Sequence, residues 1–387
     1  MAQPAQLDGR RRRMSDSFWH SWMQRALQLA ALGAGRTSPN PVVGCVVLNS
    51  HGELVGEGFH ARAGAPHAEV HALRQAGHQA RGGTAVVTLE PCCHHGRTPP
   101  CSEALLAAGI RRVVIAMADP DPRVSGSGIA QLRSAGVEVI EGVCASEARQ
   151  LNRAFLHRVS TGRPFGILKW AMSSDGRTAL PNGSSQWISG PEARAWVHRL
   201  RASCDAVIVG GGTVRADDPL LSSRGQRNPE PLRVVLSRSL QLPRQAQLWD
   251  QRTAPTLVAH GLGAPAQGRF HLDQLEVERL VLDHCSPRHL LLELAKRGCN
   301  QVLWECGASL AAAAVGEGCV QQVASVMAPK LLGGTAAQTP LGNLELVDVN
   351  QATPWPRRRL QQLGDDLLWT LELSPDSPPP TPAPCSD

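Results

Sequence analysis

The 387-residue chain contains no tyrosine, and aromatic residues make up only 4% of it. A groove that stacks unpaired bases draws on aromatic side chains, so this scarcity argues against a single-stranded nucleic-acid platform. No run approaches the roughly 18 apolar residues that a bilayer crossing needs, and no membrane partner is expected. Ahead of Met14, which is itself an alternative start, no apolar stretch of the signal-peptide kind occurs. The expected compartment is the cytoplasm. Neither sign of charge dominates: of the net +6, the first fourteen residues contribute three through Arg10–Arg13 set against Asp8. The remainder is too weakly basic for a polyanion binder, so nucleic acid is not expected as a partner either.

What the chain has is the composition of a soluble globular protein, 42% hydrophobic and 19% charged, at a length that fits two domains. Residues 1–15 and the Pro-rich end, 374–387, read as disordered tails. Between them, strand-like runs alternate with amphipathic helical stretches. "VVGCVVL" (42–48), "GTAVVTL" (83–89) and "RRVVIAM" (111–117) read as strands, and "SFWHSWMQRALQLAALG" and "AEVHALRQAG" as helices. Five further strand runs follow: "DAVIVGGG", "LRVVLS", "PTLVAHG", "RLVLD" and "QVLWECG". Alternation of this kind implies α/β layers on a mostly parallel sheet. The pattern breaks at "VSTGRPFG", Val159–Gly166, which separates a domain over 16–159 from one over 165–373.

Eleven cysteines without an export signal point to a reducing compartment. Cys45, Cys93, Cys144, Cys204, Cys285, Cys299, Cys306 and Cys319 read as small buried residues or strand ends, and Cys385 lies in the tail. Cys92 and Cys101 are different. Together with His67 they supply the three N/S ligands of a catalytic zinc site, which keeps a fourth position open for water. Glu69 follows His67 at the start of a helical pattern, the H-x-E arrangement in which a zinc deaminase uses the carboxylate as proton shuttle rather than ligand. The usual C-x-x-C spacing is replaced by an insert between Cys92 and Cys101. A closed structural site, with Cys93, His94 or His95 as fourth ligand, is the alternative.

The second half offers two Gly-rich strand ends, "VIVGGGTV" and "LWECGASLAAAAV", of the kind that bring backbone N–H groups and a helix start to a phosphate. Neither matches the dinucleotide fingerprint G-x-G-x-x-G. Arg238 directly follows the run "LRVVLS". A residue just past such a strand end is often placed at the adenosine ribose, where an arginine can grip a 2′-phosphate.

The segments "NPVVGCVV", "HAEVHAL", "TLEPCCHHGRTPPC", "LKWAMSSDGRTA", "SQWISG", "TVRADDPLL" and "APKLLGG" together resemble the bifunctional deaminase–reductase family of riboflavin biosynthesis, over about Met23 to Leu373. The resemblance implies a cytidine-deaminase-like three-layer α/β domain followed by a dihydrofolate-reductase-like α/β domain. It implies zinc-dependent deamination of 2,5-diamino-6-ribosylamino-4(3H)-pyrimidinone 5′-phosphate, then NADPH-dependent reduction to 5-amino-6-(5-phosphoribitylamino)uracil. One zinc per chain would be held by His67, Cys92 and Cys101, with Glu69 as acid/base. Asn40 and His60 would hold the pyrimidine, and His94, Arg97 and Asp119 the ribose phosphate.

In the reductase half, Ala171, Trp187, Thr213 and Asp217 would contact NADPH. So would the turn of Gly307, Ala308, Ser309, Leu310, Ala311, Ala312 and Ala313. Lys169, Ser185, Arg201, Leu221, Arg224 and Glu305 would contact the phosphorylated pyrimidine substrate, and two copies would associate through this domain. Asp175 reads as a turn residue with Gly176. Five positions depart from the family pattern: Cys93 for serine, Asp121 for asparagine, Ser237 for aspartate, Arg238 for a small hydroxyl residue, and Cys306 for glycine, which restricts φ. They leave open a chain with only one working site.

Overall fold

Where the sequence alternates apolar runs with amphipathic stretches, the computed structural model places strands and covering helices; it describes residues 8–93, 99–121, 125–275 and 277–373, with side chains from Ser17 onward. The chain divides into two units between Thr161 and Gly162, where Gly162 takes a φ of 70°. The described segments of the first unit are α1 (Asp8–Ala31), β1 (Gly44–Leu48), β2 (Leu54–Phe59), α2 (Ala68–Ala76), β3 (Thr84–Val87), α3 (Cys101–Ala107), β4 (Arg112–Ile115), α4 (Ser127–Ser134), β5 (Glu138–Glu141), α5 (Ala145–Leu151) and α6 (Arg153–Thr161). α1 begins at Asp8, so residues 8–15, expected to be disordered, continue the helix backbone; Arg and Met are good helix formers.

The first sheet has the order β2-β1-β3-β4-β5. β3, β4 and β5 run parallel, but β1 is antiparallel to both β2 and β3. The expected mostly parallel sheet is therefore mixed here, because β1 and β2 form a hairpin through Asn49–Glu53 with Gly52 at φ 84°. Both faces are covered. Cys45 and Val47 pack with Ala68, Ala72, Val87 and Leu105 on one side. Val46 and Leu48 pack with Met23, Ala26 and Ala148 on the other. A strand buried on both faces reads as an unbroken apolar run, as "GCVVL" does.

The second unit comprises β6 (Phe165–Ser173), α7 (Pro191–Ala202), β7 (Ala206–Gly210), α8 (Gly211–Asp217), β8 (Leu232–Leu236), β9 (Thr256–Gly261), α9 (Ala266–Gln274), β10 (Glu278–Leu282), α10 (Pro287–Lys296), β11 (Gln301–Trp304), α11 (Ala308–Gly316), β12 (Gln322–Ala328), β13 (Arg357–Leu363) and β14 (Asp366–Glu372). Its nine strands follow the order β10-β9-β8-β7-β11-β6-β12-β14-β13. All pairings from β10 through β12 are parallel, and the closing hairpin β13–β14 is antiparallel. The core on one face gathers Ile208, Val234, Leu257, Leu290, Trp304 and Ala311. Among the described residues, no helix is long and apolar enough to cross a membrane.

Candidate active sites

In the first unit, His67 is the N-cap of α2 and Cys101 opens α3 after Pro100. Two helix starts thus face the turn Pro91–Cys92. Helix α2 comes close to the sheet because a Cβ on Gly58 would lie 2.4 Å from the Ala68 carbonyl oxygen; only glycine permits that approach. His67 Nδ1 lies 3.2 Å from Cys101 Sγ and 3.6 Å from Cys92 Sγ. The three donor atoms fall within 4.8 Å of one another.

The Cys101 backbone N–H donates to Cys92 Sγ at 3.4 Å. The Cys101 thiol, then His67, hold the Cys92 thiol well below its ordinary range, while Cys92, then burial, push the Cys101 thiol up. His67 is raised chiefly by its contact with Cys92. One imidazole and two thiols, one already biased to thiolate, are a donor set that suits zinc. Cys93 is half-buried and does not join the cluster, so among the described residues three donors, not four, converge here.

Glu69 is buried, 3% exposed, and burial pushes its carboxyl above the usual range. His60 is also buried. Its Nδ1 lies 3.3 Å from the Pro66 carbonyl and its Nε2 3.2 Å from Asn40 Nδ2. A carbonyl and an amide N–H in those places select the neutral tautomer protonated on Nδ1. Burial, the largest influence, also lowers its pKa. Asp119 accepts from the Asp121 backbone N–H at 2.9 Å through Oδ1. His94 and Arg97 lie outside the described residues.

Glu90 stands in the "TLEPCC" run without a role that its spacing indicates. Its buried carboxylate accepts four backbone N–H groups: Asp119 and Gly126 on Oε2, Gly128 and Ile129 on Oε1. Its place immediately before the Pro-Cys turn was the available signal.

The second unit holds a cleft of about 900 Å³, within the range typical of ligand sites, roughly 300–1,000 Å³. At its floor, Arg201 forms a two-pronged ion pair with Glu305, Nε to Oε1 at 2.5 Å and Nη2 to Oε2 at 3.0 Å. Lys169 Nζ stands 3.9 Å from Glu305 Oε2. Burial pushes the Glu305 carboxyl up, but Arg201 and then Lys169 outweigh it and hold it below the usual range. Burial lowers the Lys169 ammonium, with Glu305 opposing.

The walls are the Gly-rich end of β7, Gly210 to Thr213, and the start of α11. The Gly307 N–H donates to Thr213 Oγ1 at 3.0 Å, which ties the two turns together. Ala171, Ser185, Asp217, Leu221, Arg238, Ala308, Ser309, Leu310 and Ala313 also line the cleft. Burial raises the Asp217 carboxyl while a hydrogen bond with Ser185 opposes the rise.

Four of the expected contact residues do not line the cleft. Ala311 and Ala312 are buried, 0% and 8% exposed; Ala311 packs in the core on the sheet, and Ala312 lies against Gly342. Trp187 is 63% exposed, held against Arg194, whose Cζ is 4.7 Å from the ring centroid. Arg224 is not in the cleft lining; its backbone, like that of Leu221, is left-handed, with φ 58° and 53°. The Leu220–Gly225 loop that carries them is fixed from behind. Fully buried Arg233 donates to the Leu220 carbonyl, Arg201 Nη1 to that of Ser222, and Glu230 accepts from the Ser223 and Gly225 N–H groups. Arg233 and Glu230 were missed, because carbonyl- and amide-binding residues leave no spacing pattern.

Among the departures, Ser237 Oγ accepts from the Leu240 N–H and serves the turn after β8. Cys306 does not need glycine's freedom, since its φ is not positive; burial, then Glu305, pushes its thiol up to about 12. Asp175 accepts from the Ser173 hydroxyl and from the Leu332 and Gly333 N–H groups, tying two turns together.

Comparison with known proteins accords with this geometry. Residues 17–117 match the cytidine and deoxycytidylate deaminase zinc-binding region, and residues 164–368 match the RibD C-terminal domain. The riboflavin biosynthesis protein RibD of Synechocystis sp. is 50% identical over 90% of this chain and 94% of its own. That of Escherichia coli is 44% identical over 92% and 99%. The solved structure of Acinetobacter baumannii RibD superposes with a TM-score of 0.82 at 42% identity, covering 92% of this chain and 99% of that one. A Thermotoga maritima diaminohydroxyphosphoribosylaminopyrimidine deaminase/5-amino-6-(5-phosphoribosylamino)uracil reductase gives 0.82 at 34% identity, covering 93% and 99%. With a deaminase-type zinc-binding unit followed by a RibD reductase unit, the chain belongs to the RibD family, the bifunctional deaminase–reductases of riboflavin biosynthesis.

Proposed function

We propose that residues 16–159 deaminate 2,5-diamino-6-ribosylamino-4(3H)-pyrimidinone 5′-phosphate and that residues 165–373 reduce its ribosyl side chain with NADPH. The product is 5-amino-6-(5-phosphoribitylamino)uracil. The observation that carries the first step is the cluster of His67, Cys92 and Cys101 with a buried carboxylate two residues from the histidine. These three side chains would hold one zinc per chain, which when bound supplies a water of lowered pKa. Glu69 is the proton carrier. Its raised pKa suits a carboxylate that would accept a proton from the attacking water and pass it to a ring nitrogen, then carry the second proton, from the added hydroxyl, to the amine that leaves as ammonia. Neutral His60, its two ring nitrogens engaged with Pro66 and Asn40, fixes the Asn40 amide at the base edge. Asp119, with His94 and Arg97, completes the ribose-phosphate side.

In the second unit, the start of α11 and the Gly210–Thr213 turn present backbone N–H groups suited to a pyrophosphate, and bound NADPH supplies the hydride. Lys169, Arg201 and Glu305 orient the sugar. Ala311 and Ala312, buried in α11, set the position of its start. Both ligands are small molecules, and the chain acts in the cytoplasm. The hairpin β13–β14 leaves Leu360 61% and Trp369 39% exposed at the sheet edge, which supports a homodimer formed through the reductase unit.

The test is to express 8–161 and 162–373 separately. The first, loaded with zinc, should release ammonia from the diaminopyrimidinone, and the second should oxidise NADPH only with the deaminated compound. Absence of ammonia release from zinc-loaded full-length chain would overturn the first assignment. NADPH oxidation independent of that compound would overturn the second.

A further inference from the structure

We propose that Glu90 is a positioning residue for deamination, clamping the turn that carries Cys92 to the segment that carries Asp119. The inference rests on the proposed reading of Asp119 as a substrate contact. Glu90 stands just past β3, 3% exposed, and its own N–H donates to the Met117 carbonyl at 3.0 Å. Its Oε2 accepts from the N–H groups of Asp119 and Gly126, both at 3.0 Å. Its Oε1 accepts from Gly128 at 2.9 Å and Ile129 at 3.2 Å. A carboxylate has about four acceptor sites, and all four are spent on backbone. Glu90 thus has no capacity left for metal or substrate, and whatever it contributes passes through what it holds.

What it holds is the backbone of Asp119 and the start of α4. Gly126, the N-cap of α4, has no side chain to cap it, and the first N–H groups of a helix need an acceptor. Glu90 supplies one from another part of the chain, with the charge sign that a helix start favours. The approach is close: a Cβ on Gly128 would lie 2.0 Å from the Pro91 carbonyl oxygen. A second link runs alongside, where Ser102 Oγ lies 3.1 Å from the Cys92 carbonyl and 2.7 Å from Gln131 Oε1 on α4. The Asp119 carboxylate is oriented in turn by the Asp121 N–H. One buried anion therefore references Asp119 to the metal-ligand turn.

Glu90→Gln tests this with little change of shape. Its amide has one accepting oxygen and an NH₂ that cannot accept, so two of the four N–H groups lose their partner whichever way it turns. In zinc-loaded full-length protein, we expect zinc content and reductase activity as in the unchanged chain. KM for the diaminopyrimidinone phosphate should rise about ten- to hundredfold, with a much smaller change in kcat. Because Glu90 acts through Asp119, the double variant Glu90→Gln/Asp119→Ala should be no worse than Asp119→Ala alone. Glu90→Asp, which keeps the charge and shortens the reach, should shift KM in the same direction and serves if the glutamine variant fails to fold. Unchanged KM in a folded, zinc-loaded variant, or losses that add in the double variant, would overturn the proposal. Absence of deamination in the unchanged chain would instead refute the reading on which it rests.

Discussion

The two units assemble buried charged sites by opposite routes. In the first, His67, Glu69, Cys92 and Cys101 come from one short window, turned inward by the starts of α2 and α3 and the turn between them. In the second, Lys169 sits on β6, Arg201 on α7 and Glu305 past the end of β11, so only the sheet order brings them together. A site made at neighbouring helix starts leaves a motif in the sequence; a site made across strand ends leaves isolated charges. The electrostatics differ too. The first site is a cluster of donors suited to a cation, whereas in the second Arg201 and Glu305 neutralise each other.

Glu69→Gln should separate the units most sharply. Deamination should fall about 10²–10⁴-fold, the usual contribution of general acid–base catalysis. Zinc measured by mass spectrometry, and NADPH oxidation on deaminated substrate, should stay as they were. Loss of zinc would show that the carboxylate is a ligand and would close the site as a four-donor structural one. His67→Ala should instead lose metal and deamination together.

Glu305→Gln probes the other side. It leaves Arg201 buried without its counter-charge, and breaking a buried pair costs about 3–5 kcal/mol. The melting step of the reductase unit should drop, and kcat/KM for reduction should fall by about a hundredfold or more. Deamination should persist. A melting step that does not move would mean that the pair is not holding the floor of the cleft, and the contrast between the two sites would weaken.

Legibility follows the same divide. Strands such as "GCVVL" and "AVIVG" were readable because both faces are buried, which makes them unbroken apolar runs. β2, "LVGEGF", escaped notice: it carries exposed and half-buried positions and two glycines, which weaken any strand pattern. β13, "RRRLQQL", is exposed along nearly its whole length and offers no apolar signal. The donor cluster of His67, Cys92 and Cys101 was visible in its spacing. Glu90 and Arg233 were not, since each binds backbone groups, and backbone carries no sequence. The family pattern itself suggested Ala311 and Ala312, but their small side chains gave no sign that they face the core rather than the cleft.

Arg238→Ala offers the finest discrimination, within the second unit alone. Three arginines lie near the end of β8. Arg215 lines the cleft but its guanidinium donates to the Gln241 carbonyl at 2.6 Å. Arg244 does not line it. Arg238 does, one residue past Ser237, whose hydroxyl is engaged with the Leu240 N–H. That leaves Arg238 as the cation best placed for the 2′-phosphate by which NADPH differs from NADH. A charge-assisted hydrogen bond is worth about 1.5–3 kcal/mol, so KM for NADPH should rise about ten- to hundredfold in the variant. KM for NADH, which lacks the phosphate, should hardly change. Steady-state NADPH and NADH titrations on the same preparation read this directly. Equal shifts with both cofactors would make Arg238 a wall residue, and no shift with either would place the phosphate elsewhere in the cleft.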